Sequence, residues 1–293
     1  MQRLADRYLA AVVDGLADEE RGRDLLPAVL ARACVAVLPV TGAGLGLTEE
    51  LRVPLGGSDD AVGRAERLQT TLGEGPCLSA IEAGKGLVAD AATVAARWPA
   101  YHRELVRQTP FRSVASLPLR AAGQPPMGAL DLYSDAARMD PSACGPEVQT
   151  AIADQISGLL LDAPLVSTEW TDEPVAAWLA GPSVADRMEV WKAVGMLMHS
   201  LGETQRESLA LVRRYALAHR STLDAVAVRL TALELEPSDL VPAGGSCPTP
   251  PPPLDLGARP RSGGGGQDGL PPGVSSLDAR RRRGSAHRSS GRP

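Results

Sequence analysis

Between residues 186 and 236 the apolar positions fall into three successive helical stripes, and the rest of the chain reads as an input to that stretch. Val190, Val194, Leu197 and Leu201 recur at i, i+4, i+7 and i+11, widened by Trp191 and Met198, which predicts a helix over 186–201. Gly202 stands where a helix C-cap belongs. Thr204 and Glu207 have the spacing of a capping box and open a second helix with Leu209, Val212, Tyr215 and Ala216 on its apolar side. Ser221 and Asp224 repeat the box for a third helix, whose stripe is Leu223, Val226, Leu230 and Leu233. Helices joined by such short loops pack as a small bundle.

Upstream, Leu4, Tyr8, Ala11, Val12 and Leu16 mark an amphipathic helix, and residues 25–36 continue with a second, together forming an N-terminal lead that covers a sheet edge. From Cys34 to Thr48 the residues turn small and β-branched, interrupted by Pro39, Gly42, Gly44 and Gly46, which predicts a strand, a turn and a second strand. The Gly-x-Gly-x-Gly run does not open a helix, so it is not a dinucleotide fingerprint. A helix over 60–72 ends at LGEGPC, where Gly73 and Gly75 permit positive φ and Pro76 opens the next helix. Strands follow at 86–89, 112–120 and 127–133, with a helix over 98–108 between the first two. In a closing helix over 146–161, Val148, Ile152, Ile156 and Leu160 form a stripe that either covers the sheet or pairs with a second chain. Strands interspersed with short helices predict an α+β fold around one antiparallel sheet. Residues 163–183, rich in Pro and acid, read as a linker that Trp170 and Trp178 anchor against one of the domains.

Charge changes this picture. Residues 241–293 hold eight Arg and three Asp, a net +5, which leaves −10 on residues 1–240 of a chain whose total is −5. An acidic body excludes phosphate contact spread over the whole surface but leaves room for one local basic face. Cys34, Cys77, Cys144 and Cys247 show neither a CxxC pair nor a zinc pattern and point to a reducing compartment and no metal. The opening MQRLADRYLAAVVDGL alternates charged and apolar residues, and no stretch reaches the roughly 18 apolar residues of a membrane span. The expectation is a cytoplasmic protein without membrane or cofactor. The tail from residue 243, with PTPPPP, SGGGG and Arg280 to Arg283, lacks periodicity and is expected to be disordered.

The stretch LQTTLGEGPCLSAIEAGKGLVADAATVAARWPAYHRELVRQTPFRSVASLPLR, followed by MGALDLYS, resembles the GAF domain of many actinobacterial regulators over residues 26–163. That resemblance implies a six-stranded antiparallel sheet flanked by helices, with a pocket that senses a small molecule in many relatives.

On the polar side of the three-helix stretch, Arg206, Arg213, Arg214, His219 and Arg220 cluster on the second helix and its exit, with Lys192 and Arg187 on the first and Arg229 on the third, and Tyr215 is available to stack on an unpaired base. Charge alone favours the reading of a solvated face. The segments VWKAVGMLMHSLG and SLALVRRYALAHRSTLDAVAVRL, over residues 183–240, are similar to the ANTAR domain, a three-helix RNA-binding module of bacterial antiterminators. The resemblance implies binding to paired stem-loops in a leader transcript, as a homodimer. Many members carry a basic or polar residue where this chain has Val194, which leaves more of the RNA contact to Arg213, Arg214 and Arg220.

The domains expected are thus an N-terminal helix (1–25), a GAF-like sensor (26–163), a linker (164–182), an ANTAR-like unit (183–240) and the tail (241–293), in a non-enzymatic RNA-binding regulator. One alternative is a signalling adaptor whose bundle only dimerises or docks a protein. Another is a methionine sulfoxide reductase of the GAF type, which needs a reactive pair among Cys34, Cys77 and Cys144.

Overall fold

The computed structural model describes residues 2–17, 26–48, 52–168, 171–180 and 182–241, all within one compact unit, Met1–Pro248. Five strands, β1 (Gly42–Thr48), β2 (Arg52–Gly57), β3 (Leu87–Ala89), β4 (Ser113–Leu119) and β5 (Gly128–Ser134), form an antiparallel sheet in the order β2-β1-β5-β4-β3. Among the described residues this sheet therefore has five strands where the family resemblance implies six. Helices cover both faces: α1 (Gln2–Ala17), α2 (Leu26–Val37), α7 (Pro146–Val148) and α8 (Asp154–Leu161) on one, α3 (Asp60–Leu72), α4 (Pro76–Ala83), α5 (Ala91–Arg97) and α6 (Pro99–Gln108) on the other.

Strand periodicity sorts the two faces. Ala43, Leu45, Ala115, Leu117, Leu130 and Leu132 point to the first, where Tyr8, Leu30, Ile152 and Ile156 complete an apolar core. The α1–α2 pair is therefore part of that core, and Tyr8 Oη donates to Leu30 O at 3.2 Å. Helix α2 continues to Val37, and Leu38 N–H still donates to Cys34 O at 2.9 Å. In place of the strand expected from residue 34, Cys34–Val37 form the last turn of α2, because so short an apolar run carries too little periodicity to tell strand from helix. Strand β2 escaped sequence reading because Pro54, Gly56 and Gly57 mask it; at a sheet edge proline is tolerated.

Val148, Ile152, Ile156 and Leu160 are all buried in the first-face core, so the closing helix covers the sheet with its stripe. Four-residue spacing overshoots an α-turn by about 40° per step. The π-helical turn Gln149–Ala153 between α7 and α8 takes up that drift and keeps the stripe on the sheet.

The expected linker contains a hairpin, β6 (Leu165–Thr168) and β7 (Thr171–Ala176). Trp178 does anchor it: Nε1 donates to Leu160 O at 2.9 Å and the ring packs on the first-face core, whereas Trp170 lies outside the described residues.

Helices α9 (Pro182–Leu201), α10 (Gln205–Ala218) and α11 (Leu223–Thr231) enclose a second core built on Val190, Val194, Leu197, Val212, Leu223, Val226 and Leu230. The Thr204–Glu207 capping box forms as its spacing predicts. At α11 the N-cap is Thr222, not Ser221: its hydroxyl accepts from Ala225 N–H at 3.1 Å, and Asp224 turns instead to the buried Arg187 at 3.2 Å. The stripe of α11 also stops early. Leu233 sits at φ +58° with 76% exposure, and Leu235 enters the core in its place.

Candidate functional site

Two features carry unusual chemistry, a buried polar network on the second face of the sheet and a basic cleft where α3 and α6 meet the α10–α11 turn.

The network starts from the glycines of β1. Gly42, Gly44 and Gly46 alternate onto the second face, where a Cβ at 44 would come within 2.7 Å of the Glu66 carboxylate and one at 46 within 2.7 Å of the Arg52 guanidinium. The absent side chains make room for a buried ion pair between those two residues. Arg52 Nη2 also pairs with Asp131 Oδ2 at 2.9 Å, and Nε donates to Cys77 Sγ at 2.8 Å. Gln69 Nε2 donates to Asp131 Oδ2 and to Tyr133 Oη, and Tyr133 Oη donates to Glu66 Oε1 at 2.6 Å. These side chains fill the space between the sheet and its second-face helices: none is more than 2% exposed.

Two carboxylates share one guanidinium, so the network carries an excess negative charge when all are ionised. Burial pushes the Glu66 carboxyl up to about 7; Arg52 opposes the shift and the neighbouring Asp131 adds to it. A raised carboxyl favours the folded state at low pH, so this group's contribution is complete below the unfolded value of 4.5 and is lost as pH rises through 7. Relative to a Glu66→Gln variant, the wild type is expected to lose about 2 kcal/mol of stability between about pH 5 and pH 7, measured by urea denaturation at each pH. Parallel pH profiles for the two proteins would show that Glu66 does not titrate in this range.

The LGEGPC turn serves the same face. Gly73 (φ +70°) ends α3, Gly75 (φ +149°) begins α4, and Cys77 N–H donates to Gln69 Oε1 at 2.9 Å. Glu74 reaches across to cap α6 by accepting from Tyr101 N–H at 3.0 Å. Thiol chemistry finds no help here. Burial raises the Cys34 thiol to about 12 and pushes Cys77 well up, and Cys144 is also raised, whereas a reactive pair needs a lowered thiol.

The residues assigned to RNA from the sequence have varied surroundings. Lys192 is exposed and pairs with Glu189 at 2.6 Å. Arg213 is half-buried, its Nε donating to Thr70 O at 3.2 Å and its guanidinium lying against Gly73; burial and the nearby Arg187 lower it to about 10. Arg214 donates to Leu240 O at 2.8 Å. Tyr215 has one ring face taken by His219, centroids 3.9 Å apart. His219 and Arg220 are exposed at the end of α10, Arg220 in the left-handed region at φ +53°. Val194 is 2% exposed inside the second core, so its side chain offers no surface contact.

Arg220 also belongs to the basic cleft, a space of about 730 Å³. Arg64 and Arg67 reach it from α3, Arg103 and Arg107 from α6, and among the described residues Glu104 is its only acidic side chain. Glu104 pairs with Arg107 at 2.5 Å, and Arg64 Nε donates to Gln108 O at 3.1 Å. Among the described residues, the guanidinium groups of Arg67, Arg103 and Arg220 have no ion-pair or hydrogen-bond partner. Sequence reasoning missed this cleft, although Arg64/Arg67 and Arg103/Arg107, at i,i+3 and i,i+4, each mark one helix face.

Neither a protein-family model nor a curated protein matches this chain. Among the described residues, no helix is long and apolar enough to cross a membrane.

Proposed function

We propose that the chain is a signal-responsive RNA-binding regulator. A GAF-like domain over residues 26–163 receives the signal, and an ANTAR-like unit over residues 183–240 binds paired stem-loops in nascent leader transcripts and promotes antitermination, as a homodimer in the cytoplasm. The observation that carries this reading is the docking of α10 on α3. From α10, Arg213 donates to Thr70 O, and from the start of α11 Leu223 N–H donates to Thr71 Oγ1 at 3.3 Å, so these two helices meet α3 through polar contacts, while Val184 of α9 packs in the first-face core. Such contacts can be made or released, which couples the two parts. On this reading Arg213 is held back in the docked state, and Arg206, His219 and Arg220 are the groups available for first contact.

The test is filter binding of RNA fragments transcribed from the leader regions beside the gene. Retention is expected to weaken as salt rises, because neutralised phosphates release counterions. Arg206→Ala with Arg220→Ala is expected to weaken binding about tenfold or more, with unchanged thermal melting, since each lost charged contact is worth about 1 kcal/mol or more. A second reading, an adaptor whose bundle serves dimerisation or protein docking, is favoured by one observation: Lys192, Arg213 and Arg214 already have partners within the chain. Failure to retain any hairpin pair at low salt selects the adaptor.

A further inference from the structure

The basic cleft is an outlier in a chain whose first 240 residues carry −10. Its two long walls are matched helix faces. On α3 the lining residues Arg64, Arg67, Leu68 and Thr71 recur at i, i+3, i+4 and i+7; on α6 Ala100, Arg103, Glu104 and Arg107 do the same. The α10–α11 turn closes one end with Leu217 and Arg220. Five guanidinium groups against one carboxylate repel one another, and a structural network would have balanced them with acids, as Glu189 balances Lys192. Among the described residues, three of the five guanidinium groups are left without partners, and Arg220 holds a strained left-handed backbone at that end.

We propose that this cleft binds a free nucleoside polyphosphate, with the phosphates on the arginines and the base against the apolar side chains of the lining. Guanidinium forks suit phosphate oxygens, because they donate two parallel hydrogen bonds and stay charged. Leu68, Leu72 and Leu217 add apolar side chains to the lining, which inorganic phosphate alone would not use. The volume, about 730 Å³, is that of a small-molecule site, and a folded RNA stem-loop does not enter a space of this size. Because α3, α6 and the α10–α11 turn all contribute, the bound anion bridges the α+β domain and the three-helix part and tightens their contact. The RNA reading is not required: the cleft binds its nucleotide whether or not α10 contacts RNA.

The test is isothermal titration calorimetry on the full chain with ATP, GTP, inorganic tripolyphosphate and adenosine as separate probes, at low and moderate salt. ATP or GTP is expected to bind, tripolyphosphate more weakly and adenosine not at all, with affinity falling as salt rises. Arg67→Glu with Arg103→Glu is expected to weaken nucleotide binding at least about tenfold, the effect of losing two charge-assisted contacts. The neutral pair Arg67→Gln with Arg103→Gln gives the same direction if charge reversal perturbs the fold, and Arg3→Glu, exposed on α1 and outside the cleft, leaves binding unchanged. The proposal is overturned if no nucleoside triphosphate binds at about 1 mM, far above the range of a specific site. It is equally overturned if binding is indifferent to both double variants, or if an RNA oligonucleotide binds the cleft and ATP fails to displace it.

Discussion

Replacing Arg52 with alanine is expected to lower the stability of the chain by about 3–5 kcal/mol, the cost of leaving buried charge without its counterion. Arg52 is 2% exposed and, among the described residues, is the only cation paired with both Glu66 and Asp131. With natural domains stable by about 5–15 kcal/mol, a loss of this size removes much of the margin. Lysine is expected to rescue little. The guanidinium addresses Glu66, Asp131 and Cys77 Sγ from three separate nitrogens, and a single ammonium cannot reproduce that fork. Glu66→Gln is expected to be far milder, because Asp131 remains to balance Arg52 and the amide oxygen can still accept from Tyr133. A neutral triple variant, Arg52→Met with Glu66→Gln and Asp131→Asn, is expected to regain part of the loss, since the net charge of the site is then zero. Urea denaturation curves rank these variants. An Arg52→Ala protein within about 1 kcal/mol of wild type, the range of a surface pair, would remove the network from any account of what holds this domain together.

The legible part of the fold is the part whose signals were local. Thr204 and Glu207 predict their capping box, Gly73 and Gly75 predict positive φ, and the stripe of 146–161 predicts its buried face, because each depends on residues within one or two turns. The network was not legible for the opposite reason. Arg52 and Asp131 are 79 positions apart, and nothing in RVPLGG or GALDLYS says that the two side chains meet. Its only trace in the sequence is negative, the glycines at alternate positions of β1, which read as punctuation until the neighbours above them are known. The same limit applies to the candidate interface. Counting charges on α10 finds Arg213, Arg214 and Arg220 alike, but only the packing separates an arginine held by Thr70 O from one held by Leu240 O and one left in an open cleft. The cleft adds arginines from two helices some 40 residues apart, each unremarkable on its own face. Leu233 fails in a more local way: it sits on the extrapolated stripe of α11, yet the helix has already ended at Thr231 and the residue turns left-handed into solvent.

The glycines themselves provide the second large expected effect. Gly44→Ala and Gly46→Ala are each expected to destabilise the chain by about 2–3 kcal/mol, the range for forcing extra volume into a packed core. Neither position has positive φ, so the cost is purely one of space. At 44 the new methyl group would meet Glu66 Oε1 at 2.7 Å and Val62 Cγ1 at 2.9 Å; at 46 it would meet the Arg52 guanidinium at 2.7–2.8 Å. Neither neighbour can step aside cheaply. Glu66 is held by Arg52 and Tyr133, and Arg52 by Asp131 and Cys77, so a shift of either breaks buried contacts on the far side. The two costs therefore couple, and the double variant is expected to lose less than the sum, since once the pair has moved for one methyl group it has partly moved for the other. Gly158→Ala in α8 provides the control. No atom lies within 4 Å of its added Cβ, and a glycine inside a helix costs about 0.5–1 kcal/mol relative to alanine, so that variant is expected to gain stability by about this amount. Thermal melting of the three single variants decides the matter. A Gly44→Ala protein as stable as Gly158→Ala would mean that the alternating glycines of β1 are not there to admit the buried ion pair.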